Sequence, residues 1–172
     1  MTAPAMIPID DGTAQELSER LADVFRTGKA NEVLADDLFL DGAQPTMLRV
    51  AAPLIAAAWF AIRAMPVAVP TEPEVYDLLV TMPEGIRRVQ VKSTTQRTSS
   101  GSWQFEIGRR PYVMDKSAGK IPYDPDMIDF FFILDSAGRI FLIPSRVVAG
   151  RVSITLDSYA PYRVGDASSL LR

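Results

Sequence analysis

Three polar side chains stand out on two short apolar runs. The first run reads Tyr76-Asp77-Leu78-Leu79-Val80 and the second Arg88-Val89-Gln90-Val91-Lys92, joined by Met82-Pro83-Glu84-Gly85. A carboxylate, an amide and an amine at strand ends are what metal-dependent phosphodiester hydrolysis needs. The carboxylate anchors a divalent cation. The amine orients or deprotonates the attacking water and offsets charge at the phosphate. A carboxylate at the start of an apolar strand is expensive to bury unless it is paired or holds a metal. Period two places Gln90 and Lys92 on one strand face and Val89 and Val91 on the other. From spacing alone, an ordinary amphipathic hairpin with surface charges accounts for the same pattern, since many sheets face water on one side.

Composition narrows the chemistry. The 172 residues include no cysteine and no histidine. That excludes disulfides, thiolate zinc sites, cysteine nucleophiles and every histidine-based triad or histidine–metal nuclease. Carboxylates, Lys, Arg, Ser, Thr and Tyr remain, and a hard, oxygen-preferring cation such as Mg²⁺ suits them best. Hydrophobic residues make up 48% and charged residues 23%, a balance that fits one domain with a real core, or a domain plus a short appendage.

The formal net charge of −3 is unevenly spread. From Arg87 to Lys120 there are eight basic residues against two acids, Glu106 and Asp115. A basic patch on an acidic body still attracts phosphates, because screening makes the local field count for more than the total. Arg97, Arg109, Arg110, Lys116 and Lys120 are the candidate DNA contacts, with Tyr112 and Tyr123 among them as rings able to stack on or wedge between bases. Trp103 reads as core. Asp129, inside the apolar run Ile128 to Leu134, reads as a structural acid paired with an Arg or Tyr.

These residues need elements to position them. Leu17, Leu21, Val24 and Phe25 repeat at helical spacing and predict a helix over 13–27 ended by Gly28, with a second short segment over 32–39. A buried helix is expected between Thr46 and Ala64, with Pro53 in its first turn or kinking it. Strands are expected at 67–69, 75–81, 86–94, 103–107, 128–134, 139–144 and 152–156, with a polar loop over 94–102, a mobile basic loop up to Pro125 and a short helix near Ser145. The order predicts an α/β fold with a mixed sheet. The domain reading is a helical extension over 1–45 and a domain over 46–172. The amino terminus lacks the pattern of a signal peptide. The apolar stretch Val50 to Val69, broken by Pro53, Arg63 and Pro66, falls short of an uninterrupted span of ~20 residues. A cytoplasmic protein without a membrane segment is the expectation.

Asp77, the hairpin, and Gln90-Val91-Lys92 followed by Ser93-Thr94-Thr95 resemble the PD-(D/E)XK nuclease superfamily. The likeness is to the branch with group I intron homing endonucleases and some Holliday-junction-resolving enzymes, where Gln-x-Lys replaces Glu-x-Lys. Tyr123, Ile128-Asp129-Phe130-Phe131 and Ile140-Phe141-Leu142-Ile143-Pro144 resemble that branch's later strands, so the likeness covers roughly residues 50–157. It implies a restriction-endonuclease-like mixed central sheet flanked by helices. It further implies Asp77, Gln90 and Lys92 as catalytic residues, with Asp77, Gln90 and the Val91 carbonyl as ligands of Mg²⁺, for which Mn²⁺ substitutes. Double-stranded DNA is the implied substrate and a homodimer or higher homo-oligomer the implied assembly. The chain departs from the family in one respect. The preceding helix carries no acid near Pro53, and Glu32, Asp36, Asp37, Asp41 and Glu74 are the available substitutes. A nuclease fold that binds DNA or a protein without cutting is the alternative. A third reading has residues 1–45 recognise a partner.

Overall fold

The computed structural model describes Gln15, Glu19 and residues 45–71, 73–110 and 119–167. The chain divides into two compact units, Met1–Leu38 and Phe39–Arg172. In the first, Gln15 and Glu19 are helical, and the Gln15 amide donates to Glu19 Oε1 at 3.4 Å. The rest of the expected helix over 13–27, and the segment 32–39, lie outside the described residues. The second unit has a mixed α/β architecture. Among the described residues it carries one long helix, α1 (Pro45–Ala61), and a six-stranded mixed sheet of β1 (Val67–Ala68), β2 (Leu78–Met82), β3 (Gly85–Thr94), β5 (Phe130–Asp135), β6 (Arg139–Pro144) and β8 (Arg163–Asp166). β4 (Gln104–Glu106) and β7 (Ser153–Thr155) form a separate two-stranded sheet.

The six strands lie in the order β1-β2-β3-β5-β6-β8. Only β3 and β5 run parallel, from Val89 opposite Phe130 to Thr94 opposite Asp135. A parallel pair needs a long crossover, and residues 95–129, including β4, supply it. The β2–β3 hairpin closes with Met82 opposite Gly85, leaving only Pro83 and Glu84 in the loop. Gly85 has φ +114°, a conformation that side chains strain against.

Both sheet faces are covered. Leu78, Val80, Val89, Val91, Phe132 and Leu134 pack with Leu48, Ala52, Trp59 and Phe60 of α1. Phe131, Ile133, Phe141 and Ile143 face the other way, into Trp103, Phe105, Ile128, Ile154 and Leu156. β5 is therefore apolar at almost every position, as expected of a strand buried on two sides. Pro53 sits past the first turn of α1 without ending it. The helix stops where Ala64 turns left-handed (φ +58°) and the Met65 N–H reaches back to the Phe60 carbonyl at 3.1 Å. Pro66 then disfavours helix at Met65.

Two buried or half-buried acids fasten the sheet. Asp135 is fully buried. Its carboxylate accepts from the backbone N–H of Ala137 and Arg139 and from Arg139 Nε at 2.7 Å, which sets the β5–β6 turn. Asp129 pairs with an arginine, as the sequence predicts. Its carboxylate accepts from Arg88 N at 2.8 Å, Nε at 3.0 Å and Nη2 at 3.2 Å, tying the start of β5 to β3. Burial raises the Asp129 pKa, but the hydrogen bonds and charge of Arg88 outweigh it and hold the carboxyl below its ordinary value. A carboxyl depressed in the folded state stabilises fully above its unfolded pKa, and the contribution is lost as pH falls through the folded value. Asp129→Asn is thus expected to lower stability at pH 7 by about 1 kcal/mol, the pair being partly exposed. Urea unfolding checks this, and the gap between variant and wild type should close in strong acid.

The sequence reading missed the tight helical turns over Leu156–Tyr162 and the edge strand β8. β8 reads Arg163-Val164-Gly165-Asp166 and lacks alternation. It is a strand because β6 offers an edge, with a register shift at Ile140/Phe141. No helix among the described residues is long and apolar enough to cross a membrane.

Candidate active site

The site begins where β2 leaves β3. The Asp77 N–H still donates to the Val89 carbonyl at 2.9 Å, as a ladder residue would. At the next position the Asp77 side chain replaces the strand, and its Oδ2 accepts the Val91 N–H at 2.7 Å. Alternate residues of a strand point their backbone groups to opposite neighbours. Arg88 and Thr94 bond toward β5, through Asp129 N and Ser136 N. The N–H and C=O of Val91 therefore point to the side that β2 vacates, and the sheet forks there.

Gln90 fills the fork. It is 6% exposed, on the face of β3 that carries Phe131 and Ile133 on the neighbouring strand. Its amide nitrogen donates to Asp77 Oδ2 and, at 3.3 Å, to the Val91 carbonyl. A carboxylate oxygen and a backbone carbonyl thus converge on one amide nitrogen. The place occupied by that polarised N–H₂ is one a cation suits, and the donors are all hard oxygens once the amide turns its own oxygen inward. Among the described residues no three His, Cys, Asp or Glu side chains gather into a metal-binding group, so most of a cation's shell would come from water and substrate.

Lys92 lies one step along the same face, half-buried. Burial lowers its pKa, opposed by the Asp77 charge. Its Nζ donates to Tyr123 Oη at 3.0 Å. Asp77, Gln90, Val91 and Lys92 all line one cleft of about 590 Å³. The four residues singled out from the hairpin therefore come together.

The other walls were not foreseen. Thr46, Arg49 and Pro53 of α1 line the cleft, so the helix position where an acid was sought does face the site. Arg49 is the single charged residue of α1, a lone charge in an apolar helix and the signal that could have found it. Glu106 of β4 is the acid that reaches the cleft from another element, and it is ion-paired with Lys120, which also lines it. Gly108 permits this packing. A Cβ there would lie 3.0 Å from the Val152 side chain and 3.1 Å from that of Lys120. Of the substitutes named above, Glu74 is exposed and does not line the cleft. Glu32, Asp36, Asp37 and Asp41 lie outside the described residues.

The basic candidates separate. Lys120 is in the cleft. Arg97 instead stacks on Trp103, 3.9 Å from its ring centroid, and donates to the Gly101 carbonyl. Trp103 is buried at 6% exposure, as expected of core. Arg109 is half-buried and exchanges backbone hydrogen bonds of 2.9 Å with Ile121, so these two positions of the segment expected to be a mobile loop are paired. Arg110 is exposed. Lys116 and Tyr112 lie outside the described residues.

No family model matches the sequence, and no curated protein matches it either. Solved structures do. The bacterial homing endonuclease I-Ssp6803I superposes with a TM-score of 0.59 over 70% of this chain and 89% of its own, at 20% identity. That likeness is one of fold. MepB aligns over 52% of this chain and 66% of its own with a TM-score of 0.31 and 12% identity, too low to carry any argument.

Proposed function

We propose that this chain is a Mg²⁺-dependent endonuclease that hydrolyses phosphodiester bonds of double-stranded DNA, with Mn²⁺ able to substitute. The observation that carries the reading is the fork itself: Asp77, Gln90 and the Val91 carbonyl aimed at one point, with Lys92 beside them in the same cleft. The homing-endonuclease fold supports a nuclease. Asp77 and Val91 would hold the cation, with Gln90 rotating its amide to present Oε1. A bound divalent cation supplies a polarised phosphate oxygen and an acidified water. Lys92 would place that water and balance charge on the pentavalent phosphorus. Because Gln90 is neutral, the protein's own ligand set carries a single negative charge, and cation affinity should rise when DNA phosphate enters. The domain over 46–172 would carry this machinery, with 1–45 as an extension.

One such cleft cuts one strand. Cleavage of both strands asks for two copies related by a two-fold axis matching that of the duplex, so a homodimer or higher homo-oligomer belongs to the proposal. A supercoiled-plasmid assay tests the reading: nicked and linear products in Mg²⁺ and none in EDTA. Intact plasmid under both conditions would overturn it.

A second reading has one specific observation behind it. Among the described residues α1 brings no carboxylate to the cleft, and Glu106 is engaged by Lys120. A nuclease fold that has lost cleavage and binds DNA or a protein would look the same there. Either way, the patch of Arg109 and Arg110 would add phosphate contacts. Arg109→Ala combined with Arg110→Ala is expected to weaken DNA binding and reduce the slope of log affinity against log salt by about two. A gel-shift series over salt concentration in EDTA measures it, and an unchanged slope would remove both residues from the interface.

A further inference from the structure

We propose that Tyr123 is a positioning residue for Lys92, fixing the amine end of that side chain inside the cleft. Its consequence for catalysis rests on the nuclease reading; the geometry does not.

A lysine carries its charge on a flexible four-carbon stem. β3 fixes the Lys92 backbone but leaves the amine free to sweep the cleft. A group that must place a water against a phosphate has to be held to within about 0.5 Å. Tyr123 meets that need from a different element. Lys92 Nζ donates to Tyr123 Oη at 3.0 Å, so the phenol oxygen grips the amine end of the side chain directly.

Tyr123 is itself held on three sides. Its ring packs edge-on against Phe131, with centroids 5.5 Å apart and planes at 87°, and Phe131 is 2% exposed in the core. Two residues before it, the Arg109–Ile121 pairing pins the chain. Just after it, Asp124 closes a turn by accepting from the Asp126 N–H at 2.9 Å and the Met127 N–H at 3.0 Å. The line from buried Phe131 through Tyr123 to Lys92 thus transmits the rigidity of β5 to the amine. Burial, reinforced by the Asp77 charge, pushes the phenol up to about 12. The oxygen therefore stays neutral, and it holds the ammonium without cancelling the charge needed at a phosphate.

Tyr123→Phe removes the oxygen and keeps the ring on Phe131. It is expected to lower kcat about ten- to a hundredfold, as misplacement of a reacting group does, with KM unchanged and the fold intact by circular dichroism. In a Lys92→Ala background the same change should have no further effect. Independently of activity, ¹³C relaxation of the Lys92 Cε should report an ordered side chain in the wild type and rotamer averaging in Tyr123→Phe. A Phe variant that cleaves at the wild-type rate, an effect that adds to Lys92→Ala, or a lysine equally ordered in both proteins would overturn the proposal. If the wild type does not cleave at all, the nuclease reading fails, and the relaxation measurement alone decides whether Tyr123 holds Lys92.

Discussion

Lys92→Ala should reduce the rate of Mg²⁺-dependent DNA cleavage by about 10³-fold, the loss usual when a preorganised charge is removed from a reacting phosphate. DNA affinity measured in EDTA should stay nearly unchanged, since one contact of several is lost. The fold should also survive. The amine is half-buried and its hydrogen bond goes to a phenol, and Asp77 keeps its bonds from Gln90 and the Val91 N–H when the amine is removed. Plasmid nicking followed over time, beside circular dichroism and gel-shift, separates these effects. A variant that cuts as fast as wild type would show that Lys92 is only a snorkelling strand residue.

Asp77→Asn should act on both metal and fold. An asparagine oxygen in the place of Oδ2 can still accept from both the Val91 N–H and the Gln90 amide, but the negative charge is gone. Cleavage should fall by about 10³-fold. Stability without metal should drop by about 1 kcal/mol, the difference between hydrogen bonds to a charged and to a neutral acceptor. Mg²⁺ or Mn²⁺ is expected to raise the melting temperature of the wild type in the presence of DNA, and Asp77→Asn to abolish the rise. Urea titration and thermal melts with and without cation read the two effects separately. Full retention of the cation-dependent shift would place the metal elsewhere.

Much of this site was legible in the residues before any coordinates. Turn chemistry at Met82-Pro83-Glu84-Gly85 and alternation in Val89-Gln90-Val91-Lys92 located the hairpin, and Gln90 and Lys92 do share a face. That face is not the solvated one that alternation suggests. A second layer covers it, and Gln90 is buried because the crossover between β3 and β5 folds back over the sheet. Period two reports sidedness and says nothing of what lies opposite. The pairings of Asp129 and the burial of Trp103 followed from the cost of unpaired charge and the size of the indole. Arg49 and Glu106 were not assigned to the site, and Tyr123 reads from the sequence as a base-stacking ring and not as a partner of Lys92, because all three arrive from other elements and their approach depends on tertiary packing. Gly108 makes the point in miniature: it reads as loop punctuation, but its missing side chain is what lets Val152 and Lys120 both pack against its backbone.

The fork at Asp77 and Val91 is the claim on which the rest depends, and anomalous diffraction from crystals soaked in Mn²⁺ with a short DNA duplex addresses it most directly. The account predicts a manganese peak about 2.0–2.3 Å from an Asp77 oxygen and from the Val91 carbonyl, with the Gln90 amide turned to present its oxygen and Lys92 Nζ within hydrogen-bond reach of a metal-facing water. Bound DNA with no manganese at that point, the Gln90 nitrogen still bridging Asp77 and Val91, would contradict it.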